Sequence, residues 1–204
     1  MAKRNEAFKE LLRSASEEVQ AADVKVRLMF NYFRQLHNCL YGDEIDLTLE
    51  SFLVSKDDCA LQGWHFDGNP KAADFKRRSK TVTQMTPQSM SLIVSLSDSE
   101  EGALWYYPGS HHVTQALALG TTPSMNKKLE PVKLTLRRGD FALFRQDLLH
   151  RGGAYSGRHL RCHVYGDAKG VKRWDDNATY FVKELFPEYR VFFADSEPEA
   201  EDPA

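Results

Sequence analysis

The sequence predicts a mainly β fold with flanking helices: a sandwich, barrel or jelly roll. Two observations carry this. From residue 44 to about residue 165, short apolar runs alternate with Gly, Pro, Asp and Ser, the mark of many short strands rather than alternating βα units. Ahead of them, one long stretch places its apolar residues at helical spacing. The 204-residue chain is 42% apolar and 11% aromatic, enough for the core of one domain and too apolar for a disordered chain.

Residues 5 to about 40 read as helix. Phe8, Leu11, Leu12, Val19, Val26, Met29, Phe30, Phe33, Leu36 and Leu40 recur at helical intervals with charged residues between them. Such a helix packs on a sheet as scaffold. Asp23 is a point at which it could divide. His37 reads as a partly exposed structural histidine. Tyr41-Gly42-Asp43 is a stop signal.

Strands are expected over Ile45–Val54, Cys59–Asp67, Ser89–Ser97, Gly102–Tyr107, Val132–Leu136, Phe141–Phe144 and Leu160–Tyr165. Pro108-Gly109 and Arg138-Gly139-Asp140 are turns, and 114–130 reads as a loop. Thr179–Phe186 suits a short helix. The last residues carry Asp195, Glu197, Glu199, Glu201 and Asp202 without a basic residue, a composition that resists packing. The expected organisation is therefore an N-terminal helical region at 1–43 packing on the core, a β domain at 44–193, and an acidic, disordered tail at 194–204.

The formal net charge of −2 supplies no global field for nucleic acid or membrane. No apolar run reaches the roughly 20 residues of a membrane span, and no signal-peptide core follows the charged N-terminus. Cys39, Cys59 and Cys162 are odd in number and form no C-x-x-C pair, which argues against a disulfide framework or zinc knuckle. Buried free thiols in an intracellular, cytoplasmic protein are the expectation.

Chemistry is concentrated in Gly63-Trp64-His65-Phe66-Asp67. On a strand, His65 and Asp67 project to one face and Trp64 and Phe66 to the other. An imidazole and a carboxylate on one face are two thirds of a mononuclear iron site, which needs a second histidine from elsewhere. His150 is the expected donor. It precedes the glycine-rich turn Arg151-Gly-Gly-Ala-Tyr-Ser-Gly157, and Arg161 begins the next strand.

This ordered set resembles the iron(II)- and 2-oxoglutarate-dependent dioxygenases, which carry His-x-Asp, a distal His and then a basic residue. Within them it is most similar to the phytanoyl-CoA hydroxylase-like branch, through Gly102-Ala-Leu-Trp-Tyr-Tyr-Pro-Gly-Ser-His111. The resemblance covers roughly residues 60 to 168. It implies a double-stranded β-helix (jelly-roll or cupin-like) core across 44–193, with Fe(II) held by His65, Asp67 and His150. It also implies 2-oxoglutarate as cosubstrate, Arg161 pairing with its far carboxylate, and O2 as the oxidant. A substrate C–H bond would be hydroxylated with release of succinate and CO2. Halogenation does not fit, because Asp67 keeps the carboxylate ligand.

Other residues invite roles of their own. Arg158 is an alternative carboxylate partner. His163 shares the expected strand face of Arg161 and reads either as lining the cosubstrate pocket or as a buried hydrogen-bonded histidine, although many family members place a small hydroxyl residue there or nearby. His159 alternates away toward solvent, and His111 and His112 read as turn residues. Trp105 suits the core or the pocket wall equally, and the resemblance favours a position near the iron; Ser91 is a weaker candidate for reaching the cosubstrate. Lys71, Lys76, Arg77, Arg78 and Lys80, against Asp74 alone, form a basic loop after the ligand strand that suits an anionic small molecule. A nucleic acid or protein substrate stays open, as does the oligomeric state. Two other readings stand beside the hydroxylase. One is a dioxygenase-fold binding module without turnover, which the intact four-residue set opposes. The other is a metal cupin that does not use 2-oxoglutarate, which would have no need of Arg161.

Overall fold

A computed structural model of the chain describes residues 17–41, 45–55, 58–68, 89–97, 104–124, 127–168, 180–181 and 191–194. The basic loop at 71–80, helix residues 5–16 and the tail at 195–204 lie outside the described residues. The elements are α1 (Glu17–Tyr41), β1 (Ile45–Ser55), β2 (His65–Phe66), β3 (Met90–Ser95), β4 (Leu104–Tyr106), α2 (Ser110–Ala118), β5 (Val132–Leu134), β6 (Phe141–Arg145), β7 (His150–Gly152), β8 (His159–Ala168) and β9 (Tyr180–Phe181).

The strands form two sheets, ordered β1-β8-β3-β6 and β5-β4-β7-β2-β9. Every ladder is antiparallel. Apart from β4 and β5, which pair with each other, sequence neighbours fall in different sheets, the interleaving of a jelly roll, and the described strands do not close it into a barrel. Among the described residues no helix is long and apolar enough to cross a membrane.

Alternation along the strands sorts the core into three layers. Met90, Leu92 and Val94 of β3 and Cys162 and Val164 of β8 face outward, where Phe33 of α1 buries against them with Met29 and Phe30 alongside. Burying a side chain the size of Phe33 stabilises by about 1.5–3 kcal/mol. Between the sheets, Ile93 and Phe144 meet Leu104 and Leu136. Behind the second sheet, Phe66, Tyr107 and Leu149 pack under Val113 and Ala118 of α2.

Several expectations change. α1 runs without a break through Asp23. A helix, Ser110–Ala118, takes in the expected turn residues after Pro108-Gly109 and the start of the expected loop; Gly109 precedes it at φ 80, a left-handed conformation that glycine adopts without strain. His111 and His112 therefore stand in the first turn of a helix. Strand structure between Cys59 and Asp67 is confined to His65–Phe66, with Cys59 in an isolated bridge to Tyr155. Tyr180 and Phe181 are strand rather than helix and pair with His65 and Phe66; 182–186 lies outside the described residues. Only Cys162 is a buried thiol, while Cys39 is exposed and Cys59 half-buried.

Candidate metal centre

β2 and β7 are adjacent antiparallel strands with His65 directly opposite His150. Opposed residues in such a ladder project to the same face. Phe66 and Leu149, their neighbours, anchor the other face in the core under α2. The alternation that buries these apolar side chains turns both imidazoles inward. Asp67 lies just past the strand end. Its N–H and that of Gly68 both donate to the Gln146 carbonyl at 3.1 Å, and this hooks the turn onto the segment that leads into β7.

His65, Asp67 and His150 are all buried, and one donor atom of each lies within 4.8 Å of the others. His65 Nδ1 is 2.8 Å from the Gly63 carbonyl oxygen, and His150 Nδ1 is 2.9 Å from that of Leu148. A carbonyl only accepts, so both Nδ1 atoms carry the proton and donate it. In its neutral form each ring then presents the lone pair of Nε2. Nε2 of His150 is 3.5 Å from Asp67 Oδ1.

Electrostatics bear on two of the three groups, favouring a neutral His65 and an ionised Asp67. Burial, aided by the nearby His150 ring, pushes His65 down to about 4. Burial works to raise the Asp67 carboxyl, but the His150 and His163 rings outweigh it and hold the group well below the usual carboxylate range. Two imidazole nitrogens and one carboxylate are the donor set suited to iron(II) with open coordination positions. The residues fit the ion.

β8 lies in the opposite sheet. Arg161 and His163 are both buried and share the face opposite Cys162 and Val164. The Arg161 guanidinium runs beside Gly152 of β7, where an added Cβ would sit 3.3 Å from Nη2 and 2.5 Å from Gln62 Oε1. That Gln62 oxygen accepts the Gly152 N–H at 2.9 Å. Arg158 is exposed, in the turn before β8.

The remaining candidates take the following places. His163 Nε2 is 3.5 Å from Asp67 Oδ2, so it stands beside the His65–Asp67–His150 cluster. Ser91 meets Asp67: its hydroxyl donates to Oδ2 at 2.6 Å. Trp105 pairs with Arg151, while Tyr106 pairs with His150, which puts the indole on the face away from the site. There the Arg151 guanidinium lies 4.4 Å over Trp64 and 5.8 Å from Trp105, a cation–π arrangement. His37 and His159 are each 1% exposed; His159 stacks on Tyr155 at 4.4 Å and 7°. Gln62, Gln146 and Arg151 carry no motif in the sequence. Ser91 and Ser95 do show a signal, as polar residues alternating with Met90, Leu92 and Val94.

A family model for phytanoyl-CoA dioxygenase (PhyH) matches residues 5–162. The chain belongs to the phytanoyl-CoA dioxygenase family. Iron(II) and 2-oxoglutarate are the cofactor and cosubstrate of that family, and the His65–Asp67–His150 cluster lies within the matched residues. No curated protein matches the sequence.

Among solved structures, HygX from Streptomyces hygroscopicus with nickel and 2-oxoglutarate bound is 19% identical, with 83% of this chain and 79% of that chain covered and a TM-score of 0.48. AviO1 from Streptomyces viridochromogenes Tue57 is 17% identical over 69% of this chain and 59% of that chain, with a TM-score of 0.45. The non-heme monooxygenase ThoJ is 14% identical over 70% and 54%, with a TM-score of 0.47. This phytanoyl-CoA dioxygenase family chain thus spans little more than half the length of AviO1 and ThoJ.

Proposed function

We propose that the protein is an iron(II)- and 2-oxoglutarate-dependent hydroxylase. The observation that supports this most is the convergence of His65, Asp67 and His150 within 4.8 Å inside a buried site, in a chain of an oxygenase family. His65, Asp67 and His150 are read as the iron ligands. Bound there, iron(II) would couple oxidative decarboxylation of 2-oxoglutarate to hydroxylation: one O2 oxygen enters succinate as CO2 leaves, and the other enters the substrate C–H bond.

The chain's own residues supply placement. The Gly63 and Leu148 carbonyls hold the imidazoles in the ligating tautomer. Arg161 is read as the partner of the distal 2-oxoglutarate carboxylate, because its guanidinium is permanently charged and binds a carboxylate by two parallel hydrogen bonds. His163 lies two positions further along β8, beside Asp67. Residues two apart on a strand span about 6–7 Å, close to the separation of the two carboxylates of a five-carbon diacid. Phe144, whose ring lies 4.7 Å from that of His150, and the apolar layer with Ile93, Leu104 and Leu136 exclude water from the interior.

The substrate is read as a small molecule, anionic in keeping with the basic loop at 71–80. The test is anaerobic titration of the iron(II)-loaded protein with 2-oxoglutarate, followed by visible absorption. A weak charge-transfer band that is lost in Asp67→Ala is expected, followed by succinate release with the true substrate. Folded, iron-loaded protein that gives no band would remove the 2-oxoglutarate chemistry.

A further inference from the structure

The two oxygens of Asp67 are treated differently by the fold. Oδ1 faces the His150 Nε2 atom at 3.5 Å, on the side where the imidazoles converge. Oδ2 faces the opposite sheet. It accepts the Ser91 hydroxyl at 2.6 Å and lies 3.5 Å from His163 Nε2. Ser91 is 0% exposed, so water does not compete for the carboxylate on that side. An O–H···O⁻ contact at 2.6 Å has the length of a charge-assisted hydrogen bond, the strong kind. The backbone is fixed as well, since the Asp67 and Gly68 N–H groups share the Gln146 carbonyl.

We propose that Ser91, backed by His163, is a positioning residue that holds Asp67 as a one-oxygen ligand through Oδ1. This rests on the reading above that His65, Asp67 and His150 hold iron. A carboxylate with both oxygens free can bind a metal through one or both. In a six-coordinate centre, two imidazole nitrogens and one carboxylate oxygen leave three positions, and a second carboxylate oxygen would remove one of them. A diacid that chelates through two atoms would then leave no position for a further reactant. Ser91 acts against this by engaging the lone pairs of Oδ2. β3 can carry this hydroxyl because its inward positions alternate with the apolar residues that pack on α1.

Cobalt(II) titration of the metal-free protein, read by visible absorption, tests the proposal without turnover. The wild type is expected to bind one cobalt(II). Ser91→Ala, which removes one buried oxygen atom and little volume, should weaken binding about 10- to 100-fold and change the shape of the band as Oδ2 becomes free. Ser91→Thr keeps the hydroxyl and should restore both. In an Asp67→Ala background, Ser91→Ala should change nothing further, because its effect passes through the carboxylate. His163→Gln keeps the shorter contact and should weaken binding less than Ser91→Ala; a larger loss would overturn the assignment to Ser91. Wild-type affinity and band shape in Ser91→Ala would overturn the positioning role and leave the metal site standing. A wild type that binds no cobalt(II) would instead remove the metal-site reading itself.

Discussion

His65 and His150 are direct partners across the β2–β7 ladder, and their ring centroids lie 4.5 Å apart. A single register thus sets the spacing of two donors that are far apart in the chain. A slip of one residue in either strand would turn that strand's ring into the apolar layer under α2.

Asp67→Ala is expected to abolish iron-dependent turnover while the fold persists. The carboxylate is 4% exposed, and the small side chain leaves the core layers untouched. Metal affinity should fall by more than about 100-fold, beyond the range seen for groups that only orient a ligand. Metal titration beside a far-UV circular dichroism spectrum checks both halves. Full activity in the variant would exclude Asp67 from the site.

Arg161→Ala is expected to raise the 2-oxoglutarate requirement with metal affinity unchanged. Loss of hydrogen bonds to a charged group costs about 1.5–3 kcal/mol, or roughly 10- to 150-fold in binding. The KM for 2-oxoglutarate from succinate release, set against cobalt(II) affinity, separates the two effects. An unchanged KM would move the role to Arg158, which is exposed.

Gly152→Ala should reproduce part of the Arg161 phenotype. The new methyl group would meet Gln62 Oε1 at 2.5 Å and Arg161 Nη2 at 3.3 Å. Gln62 must then release the Gly152 N–H or the guanidinium must shift. Overpacking of this kind costs about 1–3 kcal/mol. A lowered Tm together with a raised KM for 2-oxoglutarate is expected, and an unchanged KM would show that the guanidinium keeps its place.

His111 should make stability depend on pH. Burial, reinforced by the Arg145 cation, pushes it from 6.5 down to about 4. Between these values the unfolded chain binds a proton that the folded chain does not, so stability rises with pH across this window and falls on acidification. Above it His111 contributes no slope. Chemical denaturation at several pH values should show a shallower acid loss in His111→Gln than in the wild type. Equal slopes would mean that the ring is protonated normally in the folded protein.

The interior helix and the last strand were hard to read for physical reasons. Ser110–Ala118 sits between Pro108-Gly109 and Gly120, and its buried side chains are few, chiefly Val113, Thr114 and Ala118. Its stability comes from covering Phe66, Tyr107 and Leu149, residues scattered along the chain. Tyr180 and Phe181 became strand because β2 offers them an edge. No local pattern carries that information. His159 was assigned to solvent by alternation, yet Tyr155 folds over its ring.

The sequence by itself determined the mainly β class, the long N-terminal helix and the pairing of His65 with Asp67 on one side of Phe66. These follow from periodicity, because a side chain's direction repeats every two residues on a strand and every 3.6 on a helix. With the family resemblance it also singled out His150 and Arg161. That His65 faces His150, that Ser91 donates to Asp67, and that Trp105 turns away beside Arg151 emerge only in three dimensions. Each of those contacts joins segments separated by tens of residues, and strand register, which local spacing does not encode, selects the atoms that meet.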